Sequence, residues 1–280
     1  MKIIAGLLCF VPFMAVGQDQ GSCCTPPASG PAQFAAFSSD PAFRVAHEAP
    51  LPFTFVSEKG SWISFNTPNG PDARAFAVKS KKPTKNVLFV FHEWWGLNDY
   101  IQQEAVRIQN TFGNVTVIAL DMYDGKIATT SEEAGKLSGG MKVERGKAII
   151  DGALAYVGRD ARIFTIGWCF GGGWSLQAAL EAGEQGVACV MYYGMPEMNP
   201  ERLQTLHAPV LGIFAKQDGW INDKVVGEFE KKMKDAHKSL TVRWYDAVHA
   251  FANPSNPKHD KKATEDAWAH VVSFFRSHLK

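Results

Sequence analysis

The seven residues Gly167-Trp168-Cys169-Phe170-Gly171-Gly172-Gly173 join two segments that favour different backbones. Upstream, Ala161-Arg162-Ile163-Phe164-Thr165-Ile166 is short, apolar and β-branched, the pattern of a buried strand. Downstream, Trp174-Ser175-Leu176-Gln177-Ala178-Ala179-Leu180-Glu181-Ala182 is rich in helix formers. Passing from strand to helix within one residue requires glycines on both sides, which tolerate strained angles and allow close approach of neighbouring elements. The apex side chain is then held above the sheet edge, beside a helix N-terminus that favours negative charge. That residue is Cys169, so the stretch is a G-x-S-x-G elbow with sulfur in place of oxygen. The helix end predicts a thiol more acidic than free cysteine.

The rest of the chain supplies the sheet such an elbow needs. Trp62-Ile63-Ser64-Phe65 and Ala73 to Val78, separated by Thr67-Pro68-Asn69-Gly70-Pro71, read as a hairpin. Asn86 to Phe91 is continuously apolar and therefore buried on both faces. Further strands are predicted at Val115–Leu120, Ile163–Ile166, Val187–Tyr192, Val210–Phe214 and Leu240–Trp244. Between them lie amphipathic helices: Ile150, Ala153, Leu154 and Val157 share one face, as do Ala267, Trp268, Val271 and Phe275 in the last. The alternation predicts an α/β domain over residues 51–280, its central sheet mostly parallel and covered by helices on both faces. Ligands in such sheets bind outside the carboxyl ends of the strands.

Residues 1–17 read as a secretory signal: Lys2, an apolar run too short to span a bilayer, and Ala15-Val16-Gly17 as the cleavage site. Residues 18–50, rich in Pro, Ala, Ser, Gly and Gln, are expected to be a linker or poorly ordered arm. The mature chain is thus expected to be soluble and exported, to the periplasm or beyond, with no membrane partner. Losing Lys2 leaves one basic residue fewer than the 29 of the whole chain, against 28 acidic ones. Near-zero charge without a basic stripe argues against a nucleic-acid partner. The oligomeric state is left open. Of the mature cysteines, Cys23 and Cys24 are adjacent and pair only with strain, and Cys189 sits in an apolar strand as a small core residue. No C-x-x-C or paired Cys/His spacing is present, so no structural zinc site is expected, and the hydrolase read below would need no metal or organic cofactor. Cys169 is left as an unpaired thiol.

Three residues fall at strand ends where this architecture would bring them together: Cys169, Asp218 in Lys216-Gln217-Asp218-Gly219-Trp220, and His249 in Ala247-Val248-His249-Ala250-Phe251. The chain order nucleophile, acid, histidine is that of the α/β-hydrolases. His249 would take the thiol proton, Asp218 would fix its tautomer, and Cys169 would attack a carbonyl to form an acyl-enzyme. An oxyanion hole needs two donors. The backbone N–H groups of Phe170 and of Trp94, in the turn His92-Glu93-Trp94-Trp95-Gly96, are the candidates. Taken singly, Asp218 could be a turn aspartate and His249 a surface histidine; their joint order is what singles them out. Asp223 falls in the following helix, Asp246 stands too near His249, and Asp121 reads as turn chemistry. His92-Glu93 opens like a zinc-protease H-E-x-x-H, but Gly96 occupies the second ligand position. His47, His207, His237, His259, His270 and His278 are assigned no role.

These residues resemble the dienelactone hydrolases (carboxymethylenebutenolidases) of the α/β-hydrolase fold over about Phe55 to Lys280. The elbow with cysteine, Glu93-Trp94-Trp95-Gly96-Leu97-Asn98, Asp218 and His249-Ala250-Phe251 carry the resemblance. It implies hydrolysis of a strained enol-lactone by a Cys-His-Asp triad, with the glutamate at the position of Glu93 helping to deprotonate the thiol when substrate binds. A carboxylate beside a thiol is a usable base in a dry pocket. The family also uses two arginines to hold a substrate carboxylate, one after a D-x-Y segment and one shortly after the histidine. Here those places read Asp121-Met122-Tyr123-Asp124-Gly125-Lys126 and His249-Ala250-Phe251-Ala252-Asn253-Pro254, without arginine. Lys126 could stand in only as a point charge. Trp94, Trp95, Trp168 and Trp220 are expected to cluster near the site and to favour an apolar or aromatic acyl group.

The reading is a cysteine hydrolase of a small-molecule ester or lactone. A thioesterase or peptide hydrolase on the same triad, or a binding protein that kept the fold and lost turnover, are its rivals.

Overall fold

The computed structural model describes residues 29–280. The expected signal at 1–17, and Cys23 and Cys24, lie outside the described residues. No helix among the described residues is long and apolar enough to cross a membrane.

Eight strands form one sheet: β1 (Ser61–Phe65), β2 (Ala73–Val78), β3 (Asn86–Phe91), β4 (Thr116–Leu120), β5 (Arg162–Trp168), β6 (Gly186–Tyr192), β7 (Val210–Ala215) and β8 (Leu240–Tyr245). Their spatial order is β1-β2-β4-β3-β5-β6-β7-β8. The β1–β2 and β2–β4 pairs are antiparallel and all others parallel, as the strand–helix alternation predicts. All six residues of β3 are buried, as its unbroken apolar run requires, whereas β8 at the sheet edge alternates half-buried with exposed positions.

Order reverses beside β3. The chain leaves β3 for β4 on one side and returns to β5 on the other, so a crevice opens above the carboxyl ends of β3 and β5. Such a switch point is where open α/β sheets bind ligands. The loop after β3 carries Glu93 and Trp94, and β5 runs straight into the elbow.

Neighbouring residues of β5 point to opposite faces. Thr165 meets Ser175 of α6 (Phe170–Glu181), while Phe164 packs edge-on against Phe275 of α9 (Lys261–His278). Helix α5 (Val143–Val157) lies against α6, and α3 (Asp99–Phe112) lies against α9 through Phe112 and Trp268. Both faces are therefore covered. Asn98 caps α3, Thr130 caps α4 (Ser131–Gly140) and Asn222 caps α8 (Asp223–Asp235), each accepting a backbone N–H of the first turn.

The segment expected as a loose arm is not loose over its described part. Gly30–Phe37 forms α1 and Pro41–Ala46 forms α2, with Asp40 accepting the Ala42 N–H at the start of α2. Phe34 and Phe43 are fully buried, and α1 packs on α4 and α6. The apolar payload of these phenylalanines outweighs the Pro, Ala and Ser composition that suggested a linker. The arm lies across the carboxyl edge of the sheet.

Candidate active site

The elbow is built by backbone contact. A side chain at Gly167 would sit 2.0 Å from the Gly171 carbonyl oxygen, and one at Gly171 would sit 2.3 Å from that of Phe91. Only glycine lets α6 start this close to β3. Cys169 adopts φ +55°, ψ −117°, a strained conformation for a residue with a side chain. Its N–H donates to the Tyr192 carbonyl at 3.0 Å, which locks the turn to β6.

The three predicted partners meet. His249 Nε2 lies 3.2 Å from Cys169 Sγ, and His249 Nδ1 lies 2.5 Å from Asp218 Oδ2. The other carboxylate oxygen of Asp218 accepts the N–H groups of Trp220 at 2.9 Å and Ile221 at 3.0 Å. Burial pulls the Asp218 carboxyl upward, but His249 and these two N–H donors outweigh it and hold it below its ordinary value. A carboxylate so fixed holds the proton on Nδ1 and leaves the Nε2 lone pair facing the sulfur.

The thiol departs from expectation. Burial pushes Cys169 well above its ordinary value, and the Glu93 carboxylate, when charged, pushes the same way. The N–H groups of Phe170 and Trp94 both aim at the sulfur and pull it down, without compensating. Only 1% of Cys169 is exposed. Desolvation of a thiolate outweighs what a helix N-terminus returns, so the resting group is a thiol.

Glu93 is buried and accepts from the Asn253 side-chain amide. Burial raises its carboxyl to about 8, against smaller pulls from Tyr193 and Asn253. The Tyr193 hydroxyl is a neighbouring donor, yet neither it nor Glu93 Oε1 completes a hydrogen bond of ordinary geometry. His92, dismissed above as a metal ligand, is a brace: its Nδ1 donates to the Glu93 carbonyl at 2.6 Å and its Nε2 accepts the Met122 N–H at 3.1 Å.

One residue in the site was assigned no role from sequence. His47, at the end of the arm, places Nε2 4.0 Å from Cys169 Sγ while its Nδ1 donates to the Phe43 carbonyl at 2.7 Å. Burial, then repulsion from His249, lowers it to about 3, so it is neutral. Phe43 packs edge-on against Trp94 and Trp220, and the Trp220 indole N–H donates to Asp40 at 3.0 Å. Together these residues roof the sulfur. A buried phenylalanine four residues before a histidine was the available signal, but nothing in the spacing ties position 47 to position 169.

The tryptophans face two sides of the site, joined where Trp94 packs edge-on against Trp95. Trp94 and Trp220 belong to the roof, whereas Trp95 and Trp168 line a cavity of about 390 Å³ on the α3/α9 side with Glu93, Tyr192, Arg107 and Trp268. Lys126 faces a separate hollow with Lys136 and Arg145, so it does not replace the missing arginines. Asp124 is paired with Arg145, and Asp121 accepts the Tyr123 and Gly125 N–H groups as a turn aspartate does.

Comparison with known proteins gives a consistent picture. The family model described as the dienelactone hydrolase family matches residues 73–279. "Protein usf" of Aquifex pyrophilus is 27% identical over 232 residues, covering 79% of this chain and 99% of that protein. A protein of Aquifex aeolicus named "Putative carboxymethylenebutenolidase" is 26% identical over 232 residues, covering 79% and 100%. Among solved structures, a dienelactone hydrolase-like promiscuous phosphotriesterase from metagenomic libraries superposes with TM-score 0.65 at 19% identity, covering 79% of this chain and 100% of that one. At that identity the last likeness shows the fold.

Proposed function

The chain belongs to the dienelactone hydrolase family, and from that premise we propose that it hydrolyses a small-molecule ester or lactone through Cys169, His249 and Asp218. The observation that carries this reading is the unbroken line Sγ–Nε2 at 3.2 Å and Nδ1–Oδ2 at 2.5 Å, ending on a carboxylate held by two backbone donors.

The resting thiol is protonated, so deprotonation accompanies attack. As a carbonyl carbon approaches Sγ, the thiol proton passes to His249 Nε2 and the new S–C bond forms a tetrahedral oxyanion. The N–H groups of Phe170 and Trp94, which already aim at the sulfur, stabilise that oxyanion. His249 returns its proton to the leaving oxygen, leaving a thioester on Cys169. Water, deprotonated by the same imidazole, then releases the acid. Glu93 is a second proton carrier: neutral at rest, it becomes a base for the thiol once it ionises. The cavity beside Glu93, walled by Trp95, Trp168 and Trp268, favours an apolar or aromatic substituent. Arg107, in the wall of this cavity, pairs with Glu104 and stacks on Trp268, so it is not free to clamp a substrate carboxylate. Export after cleavage at Gly17 is part of the proposal, checked by N-terminal sequencing of protein recovered outside the cytoplasm.

The test is intact mass of the protein after brief exposure to a panel of lactones and aryl esters. An acyl adduct that maps to Cys169, and is missing from Cys169→Ala, is the expected result. Undiminished hydrolysis after stoichiometric alkylation of Cys169 overturns the reading.

A further inference from the structure

Two imidazole lone pairs converge on one sulfur. His249 Nε2 and His47 Nε2 lie 3.2 Å and 4.0 Å from Cys169 Sγ, and both Nδ1 atoms are occupied, by Asp218 and by the Phe43 carbonyl. A thiol has one proton to give, and a hydrolase of the kind proposed above needs one base. The second lone pair has no task in that chemistry, yet it is buried and oriented.

We propose that His47, Cys169 and His249 form a binding site for a thiophilic d10 cation, zinc in the first instance, and that the occupied state is inactive. The three donor atoms lie within 4.8 Å of one another and all three residues are buried. Zinc bonds of about 2.3 Å to sulfur and 2.0–2.1 Å to nitrogen, at tetrahedral angles, put sulfur and nitrogen about 3.6 Å apart. The observed 3.2 Å and 4.0 Å bracket that value, and the two nitrogens, within 4.8 Å of one another, must close to about 3.4 Å, so the site is completed by movement of the His47 ring toward His249. The outer shell is in place: Asp218 on His249 is the carboxylate–histidine arrangement that orients zinc ligands, and the Phe43 carbonyl does the same for His47. Three protein ligands leave a fourth position for water.

The balance is simple. The cation displaces the thiol proton to solvent and forms a metal–thiolate bond, while the two neutral imidazoles donate without losing protons. The thiolate and the His249 lone pair are then both engaged, so metal binding and acyl transfer exclude each other. Because His47 comes from the arm, the cation also clips the arm to the elbow.

Binding is read on chelator-treated protein without substrate, which keeps it independent of the hydrolase reading. One zinc ion per chain by calorimetry, release of one proton, and a thiolate-to-cobalt charge-transfer band when cobalt is used are expected. His47→Asn keeps the bond to the Phe43 carbonyl and removes the Nε2 donor. It should weaken zinc at least about 100-fold, since loss of an outer-shell partner alone costs 10–100-fold. His47→Gln, with an amide at the Nε2 position, is the second variant should the first fail to fold. Absence of the cobalt band in the wild type, or wild-type zinc affinity in a folded His47 variant, overturns the site. An acyl adduct on metal-free Cys169 would stand in either case.

Discussion

Asn253 donates its side-chain amide to the Glu93 carboxyl, so a buried acid beside the sulfur is held by a neutral partner. Resemblance to the family leads one to expect an arginine shortly after the histidine. An amide does not offset the cost of burying a charge, and Glu93 is accordingly raised to about 8.

That shift fixes a pH dependence of stability. Between the ordinary value of 4.5 and about 8, folded Glu93 keeps a proton that the unfolded chain has lost. Stability therefore falls as pH rises through this window, by about 1.4 kcal/mol per unit from this group. Glu93→Gln should remove this contribution and gain a few kcal/mol over the wild type between pH 5 and pH 8, while His47, lowered to about 3, adds the opposite slope below its ordinary 6.5 in both proteins. Denaturant unfolding at the two pH values checks it; equal slopes in both proteins would refute the assignment.

The arm controls access to the sulfur. Phe43 is fully buried and packs edge-on against Phe34, Trp94 and Trp220. Removing a buried phenylalanine ring costs about 3–5 kcal/mol, and here most of that loss falls on arm docking. Phe43→Ala should therefore speed alkylation of Cys169 by iodoacetamide at least about tenfold, because the rate follows the population of the open form. Mass spectrometry over time measures it, and unchanged kinetics would mean that reagent reaches the sulfur by another route.

Asp218→Asn tests the tautomer argument. The Trp220 and Ile221 N–H groups occupy Oδ1, so an asparagine keeps its amide oxygen there and turns its NH₂ toward His249. The imidazole must then carry its proton on Nε2, where it can no longer accept from the thiol. Turnover of a substrate found by acyl trapping should drop about 10²–10⁴-fold in kcat with KM little changed. A loss confined to KM would assign Asp218 to binding instead.

How much of this was legible in the sequence differs by element. The elbow was, because glycines at 167 and 171 answer a steric demand that no other residue meets. The parallel strands were, because unbroken apolar runs such as Asn86–Phe91 are buried on both faces. The meeting of Cys169, His249 and Asp218 was, because the three sit at strand ends that parallel order brings to one edge. Burial at the site was not. Thiol acidity argued from a helix end neglects the roof over Cys169, and that roof is built by Phe43 and His47, more than a hundred residues away in the chain. Phe34, Phe37 and Phe43 marked the arm as a folded element, but proline, alanine and serine around them masked the signal.

Backbone packing at the elbow gives the last prediction. A β-carbon at Gly171 would stand 2.3 Å from the Phe91 carbonyl oxygen and 2.4 Å from that of His92. Backbone atoms of a central strand cannot yield as a side chain can, so Gly171→Ala must push the start of α6 away from β3. Cys169 then leaves the line to His249, whose 3.2 Å contact has little slack. A loss of about 1–3 kcal/mol or more, typical of overpacking, is expected, together with loss of acyl trapping in whatever protein folds. Gly227 in α8 is the control. It is exposed, its φ is not positive, and nothing lies within 4 Å of a β-carbon built there. Gly227→Ala should instead stabilise by about 0.4–1 kcal/mol, chiefly by restricting the unfolded chain. Thermal unfolding of the two variants beside the wild type decides the matter: opposite signs are expected, and a neutral Gly171→Ala would mean that α6 is free to move from β3 without disturbing the elbow.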